Sequence, residues 1–191
     1  MDRWGSYRRQ VGTQPNPIVG NVLSRYKVAR EKALDLGAGN LRDSKFLKSV
    51  GFKHVVAVDL SPESPTFLTE GIELETCSIE AYRPEANTFD FVISCNTMFF
   101  LTSENAEVVF RNIFEGLRSG GIFVCNVLGP EDDWIREGRP MCSFTKESLT
   151  TICGGFRILG MNETKDYANT VTPAGLSTKF WHQWSVALQK P

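Results

Sequence analysis

"ALDLGAGNLRDSKFL", Ala33–Leu47, decides how this chain is read. A short apolar run ends in an acid, Asp35. Two glycines one residue apart, Gly37 and Gly39, follow, and then a helix-like pattern begins. A strand feeding a glycine-rich turn and a helix is the arrangement by which α/β proteins hold nucleotide-like ligands. Working outward, short apolar runs alternate with helical or loop segments. "KALDLG" reads as a first strand, followed by a helix from about Asp43 to Val50. "HVVAVD" (His54–Asp59), "ELETCSI" (Glu73–Ile79), "FDFVISC" (Phe89–Cys95) and "GIFVCNVL" (Gly121–Leu128) read as strands two to five. A helix is expected over Pro17–Arg30, with Pro17 in its first turn. The clearest helical stripe runs from Ser103 to Leu117, with Gly120-Gly121 expected to end it. Thr145 is placed to cap a short helix. Two closing strands, about Phe156–Thr164 and Lys179–Gln189, have about fourteen residues between them and no helix, so they should pair antiparallel. The segment Glu80–Thr88 is too short for a good crossover helix. The expectation is an α/β fold: a doubly wound, mostly parallel seven-stranded sheet with helices on both faces and an antiparallel C-terminal strand pair.

Length and composition narrow the class. A chain of 191 residues suits one domain and buries about 70% of its unfolded surface, so it needs no disulfide or metal staple. Residues 1–16 read as a loose arm. Its Arg3, Arg8 and Arg9 form a local patch, and Trp4 and Tyr7 offer a lid. Lysine plus arginine (21) and aspartate plus glutamate (22) nearly cancel, so no overall field favours nucleic acid or an anionic membrane. Five scattered cysteines without a CxxC pair, and only two histidines, argue against a zinc site and against a secreted disulfide framework. No signal peptide is apparent, and no run approaches the ~18 apolar residues of a spanning helix. A cytoplasmic protein with no metal and no nucleic-acid or membrane partner is the expectation. Its oligomeric state is left open.

The glycine turn departs from the dinucleotide pattern G-x-G-x-x-G, because Arg42 stands where the third glycine allows close helix packing. Asp35 would repel a pyrophosphate but suits a cationic ligand. Asp59, twenty residues beyond Gly39, can accept both hydroxyls of a ribose. An adenosyl ligand with a positive, phosphate-free tail fits both acids, and S-adenosylmethionine has that form. A nicotinamide-dependent oxidoreductase is the weaker alternative.

"LDLGAGNLRD", "VVAVDLSP", "FDFVISCNTMFFL" and "GLRSGGIFVCNV", in that order, resemble the motifs of class I S-adenosylmethionine-dependent methyltransferases over about Ala33–Val127. The short tail with "CSFTKESL" is also similar to small bacterial methyltransferases of the tellurite-resistance type. The resemblance implies that Asp35, Gly37, Ala38 and Gly39 lie against the methionine part, and that Asp59, with Leu60 after it, holds the ribose. It implies that Ser78 and Ile79 meet the adenine, although family members often carry an Asp where Ser78 stands. Asn96 would lie near the sulfonium. The acceptor side has no Asn/Asp-Pro-Pro-aromatic element, since Asn96-Thr97-Met98-Phe99 occupies its place. A small-molecule acceptor is therefore expected rather than DNA.

Candidate residues for the chemistry lie in two places. The loop "GPEDDWIREGRP" holds Glu131, Asp132, Asp133 and Trp134. Its acids would attract an amine acceptor or act as base, or else form a solvated turn. His182 lies on the apolar face of the last strand with Phe180, Trp184, Val186 and Leu188, either as a base or as a hydrogen-bonded core histidine. Cys95 and Cys125 read as buried fillers. A non-catalytic module that binds the cofactor or a partner on the same scaffold stays an alternative.

Overall fold

The computed structural model describes residues 12–60, 64–172 and 175–191. The elements run α1 (Pro17–Arg25), β1 (Lys32–Leu36), α2 (Arg42–Ser49), β2 (His54–Val58), β3 (Ile72–Glu75), β4 (Phe89–Ser94), α3 (Ser103–Gly116), β5 (Leu117–Leu128), α4 (Asp133–Arg136), α5 (Lys146–Ile152), β6 (Arg157–Thr172) and β7 (Gly175–Gln189). The strands form one sheet in the order β3-β2-β1-β4-β5-β7-β6. β1 to β5 are mutually parallel, whereas β7 runs antiparallel to both β5 and β6.

Strand alternation divides the core into two layers. Leu34, Leu36, Val56, Val58, Val92, Phe123 and Val127 pack on one face with Ala106, Val109, Phe110 and Ile113 of α3 and Leu149 of α5. Ala33, Val55, Ala57, Phe91, Ile93 and Val124 pack on the other with Val19 and Val22 of α1 and Leu47 of α2. Phe52, Phe91, Phe110 and Phe123 are at most 2% exposed. Truncating any one of them to alanine costs about 3–5 kcal/mol. The chain builds β1, β2 and β3 to one side, then returns to lay β4 on the other flank of β1. The strand order therefore reverses between β1 and β4, where open sheets bind their ligands at the carboxyl ends.

Several boundaries differ from the sequence reading. α1 ends at Arg25, because Tyr26 is extended and sends its hydroxyl to the Leu159 carbonyl (3.0 Å). α3 ends at Gly116 instead of at the glycine pair. Its last carbonyls, of Glu115 and Gly116, accept the amides of Asn87 and Thr88, a tertiary cap that sequence periodicity does not carry. Gly120-Gly121 lies inside β5, at a register irregularity against β4, where Gly120 takes φ +79°. β3 stops at Glu75, and Ser78 opens a turn in which its carbonyl accepts the amides of Ala81 and Tyr82. The residues expected to link the last two strands are mostly strand. β6 and β7 pair continuously from Lys165–His182 to Thr172–Gly175, beyond the end of β5 at Leu128. Residues 162–169 are exposed, so no apolar alternation marks them. Trp4, Tyr7, Arg3, Arg8 and Arg9 lie outside the described residues. Among the described residues no helix is long and apolar enough to cross a membrane.

Candidate active site

The turn after β1 is pinned from both neighbouring strands. The amides of Gly37 and Ala38 donate to the Val58 carbonyl at the end of β2 (2.7 and 3.1 Å). The Gly39 amide donates to Asp59 Oδ2 (2.8 Å), so the candidate ribose acid also shapes the turn. Gly37 has φ +78°, and a β-carbon there would come within 2.2 Å of Thr97 Oγ1, so neither conformation nor space admits a side chain. Among the described residues nothing lies within 4 Å of the β-carbon position at Gly39.

Asp35 is 2% exposed at the end of β1 and accepts the Ser44 hydroxyl from α2 (2.6 Å). Burial, then the nearby Asp43 and Asp59, push its carboxyl from 3.8 up to about 8. Asp43 is also raised by burial, opposed by the Asn16 amide (2.6 Å) and Arg42 (3.6 Å). Arg42 therefore serves the first turn of α2 as a partner of Asp43. Leu60, which follows Asp59, is 68% exposed. Ser78 Oγ accepts the Ala81 amide (3.3 Å), while Ile79 is buried against the layer of Val58 and Leu36.

Asn96 leaves β4 in the left-handed region (φ +57°). Its amide donates to Asn126 Oδ1 (2.7 Å), and its own Oδ1 accepts from Asn126 Nδ2 (2.6 Å). Thr97 Oγ1 then donates to the Gly37 carbonyl (3.3 Å). Sequence reading missed Asn126. Its signal is a lone amide, 4% exposed, in the otherwise apolar run Ile122–Leu128.

The three candidates for acid–base chemistry sit beyond the end of β5, and each already has partners within the chain. Asp132 is fully buried, which corrects the expectation of a solvated turn. It caps α4 through the Trp134 amide (3.0 Å), accepts the His182 amide (3.2 Å) and pairs with Lys179 Nζ. Lys179 is 5% exposed between Trp134 and Trp181, 3.9 and 3.6 Å from the ring centroids. Asp133 Oδ2 accepts the Phe180 amide (2.7 Å). His182 Nδ1 accepts the Glu131 amide (3.1 Å), so the neutral ring carries its proton on Nε2, which faces Glu163 Oε1 at 2.8 Å. His182 is 2% exposed, and a β-carbon at Gly129 would overlap its ring. These side chains fasten the loop after β5 to the β6–β7 ribbon. Phe99, Leu128 and Trp134 form an apolar cluster beside them, against Met141 and Trp181. Cys95 and Cys125 are buried, with thiols pushed well above their ordinary range by burial.

Residues 33–121 match the family model described as a methyltransferase domain. The probable S-adenosyl-L-methionine-dependent methyltransferase TehB of Haemophilus influenzae is 31% identical over 111 residues, covering 54% of this chain and 38% of that protein. The chain thus spans well under half the length of this curated relative. The solved structure of Haemophilus influenzae TehB superposes with a TM-score of 0.72 at 20% identity, covering 92% of this chain and 62% of that one. Phosphoethanolamine N-methyltransferase 1 of Triticum aestivum is 30% identical over 100 residues, 49% of this chain and 20% of that protein. The N-methyltransferase NodS of Bradyrhizobium japonicum, solved with S-adenosyl-L-homocysteine, superposes with a TM-score of 0.68 at 13% identity, covering 100% of this chain and 88% of that one. The matched segment contains the glycine turn and both flanking acids, and over it the chain is similar to S-adenosylmethionine-dependent methyltransferases.

Proposed function

We propose that this protein transfers a methyl group from S-adenosylmethionine to a small-molecule acceptor in the cytoplasm, and that residues 1–191 act as one domain with residues 1–16 as an arm. The observation that carries the reading is the pair of acids, Asp35 and Asp59, on either side of a glycine turn. Asp35 beside the turn weighs against a pyrophosphate and hence NAD, whereas Asp59 suits the ribose of either ligand. A ligand with a cationic tail and free ribose hydroxyls is complementary to them.

In this reading Gly37, Ala38 and Gly39 present backbone to the methionine part, and Asp35 answers its positive end. Asp59 and Leu60 hold the ribose, Ser78 and Ile79 border the adenine, and Asn96 borders the sulfonium. The cofactor supplies an electrophilic methyl on a sulfonium whose departure leaves a neutral thioether. Positioning and exclusion of water then carry much of the rate. Asp132, Asp133 and His182 are spent on internal bonds, so we assign them to building the acceptor wall and not to proton transfer. A nucleophile that arrives with no proton to lose from its attacking atom needs no base. The near-neutral charge of the chain and the small-molecule substrate in the name of the wheat relative support a small acceptor.

Calorimetric titration with S-adenosylmethionine, with NAD in parallel, tests the assignment. Micromolar binding of the first alone, lost in Asp59→Ala, is the expected result. Binding of NAD, or of neither, refutes it. Cofactor binding with no methyl transfer to any small acceptor would favour a non-catalytic module instead.

A further inference from the structure

Asn126 is the only polar side chain in the buried run Ile122–Leu128 of β5. An amide buried without partners is costly, so a buried amide in an apolar strand calls for an account of its bonds. Its side chain bonds twice to one residue, Asn96, and the two bonds are reciprocal: Oδ1 takes the Asn96 backbone amide, and Nδ2 gives to the Asn96 side-chain oxygen. Asn96 needs such support. Its φ of +57° is a conformation that L residues other than glycine adopt at a cost, with asparagine among the most tolerant. The next residue carries the constraint onward. The Thr97 hydroxyl donates to the Gly37 carbonyl (3.3 Å), and its side chain fills the space that a β-carbon at Gly37 would take. A continuous set of contacts therefore runs from β5 through the exit of β4 to the turn after β1. These three strands are neighbours at the point where the sheet order reverses.

We propose that Asn126 is a positioning residue for the cofactor site: by holding Asn96 in its left-handed conformation it fixes where the exit of β4 meets the Gly37–Gly39 turn. The inference rests on the reading of that turn as the S-adenosylmethionine site. Asn126 itself is buried and acts only through Asn96. The substitution Asn126→Asp keeps the shape and the acceptor for the Asn96 amide. It removes the donor and sets a carboxylate oxygen against the Asn96 side-chain oxygen. In contrast, Asn96→Gly takes a positive φ without support and has no side chain to be held.

The test is a double-mutant cycle on the affinity for S-adenosylhomocysteine, measured by calorimetry, with Tm recorded for each variant. Asn126→Asp is expected to weaken binding about tenfold, the equivalent of about 1.4 kcal/mol. In the Asn96→Gly background the same change is expected to have little further effect. Asn126→Ser serves the same cycle if the aspartate variant does not fold. Wild-type protein that binds no S-adenosylhomocysteine overturns the site assignment itself. Wild-type binding with unchanged affinity in the Asn126 variants, whatever their Tm, overturns the positioning role alone. An equal loss in both backgrounds also overturns it, since the effect would then not pass through Asn96.

Discussion

Replacing Asp35 by asparagine should make the protein more stable and a poorer binder, and the gain in stability should grow with pH. Asp35 is 2% exposed, and its carboxyl rises from 3.8 in the unfolded chain to about 8 in the fold, chiefly through burial. Below pH 3.8 both states hold the proton and Asp35 adds no pH dependence. Between 3.8 and about 8 the unfolded chain has released its proton while the folded chain retains it, so stability falls as pH rises, by up to 1.36 kcal/mol per unit. Above about 8 the folded protein ionises as well and the penalty stops growing. Across the whole window the cost is on the order of 5 kcal/mol, a ceiling because the fold can relax around an ionised group. Asparagine keeps the shape and still accepts the Ser44 hydroxyl, but it cannot ionise. Asp35→Asn is therefore expected to be about 2–4 kcal/mol more stable than wild type at pH 8, and close to it at pH 4. At about 2–4 °C per kcal/mol for a chain of this size, Tm at pH 8 should rise by roughly 5–15 °C. Thermal unfolding at pH 4, 6 and 8 measures this, and calorimetry with S-adenosylmethionine should show at least a tenfold loss of affinity. An advantage that does not grow with pH, or a variant less stable than wild type at pH 8, would refute the burial argument.

Three further outcomes are expected. With Asp35 still protonated at pH 7, a cationic ligand that needs its carboxylate should release close to one proton per site, read from binding heats in buffers of different ionisation enthalpy; no release at pH 7 would separate Asp35 from the ligand. Gly37→Ala combines a positive φ with an overlap onto Thr97 and should cost about 2–4 kcal/mol in urea unfolding, and an unchanged midpoint would contradict the packing at that turn. Asp132→Ala leaves the Lys179 ammonium buried without its carboxylate and should cost about 3–5 kcal/mol. Adding Lys179→Met should return part of that loss, and simple additivity of the two changes would argue that the pair is not coupled.

Local periodicity and residue chemistry are legible along the chain before it folds. The stripe from Ala106 to Ile113, the apolar runs of β1, β2, β4 and β5 and the glycine turn between Asp35 and Asp59 each carry their signal within a few residues. They were sufficient for the seven-stranded fold and for the cofactor proposed at that turn. Tertiary structure alone decided everything that depends on a partner distant in the chain. α3 ends where Asn87 and Thr88 meet its carbonyls, and β6 extends to Thr172 because β7 offers a ladder to polar residues that show no apolar alternation. Asp132, Asp133 and His182 read as candidates for chemistry because their side chains allow it. Whether such a group is available depends on what lies beside it, and Lys179, the Phe180 amide and Glu163 arrive from 47, 47 and 19 positions away. The tie between Asn96 and Asn126 spans 30 positions and two strands, and only the register of β4 against β5 brings the two amides within reach.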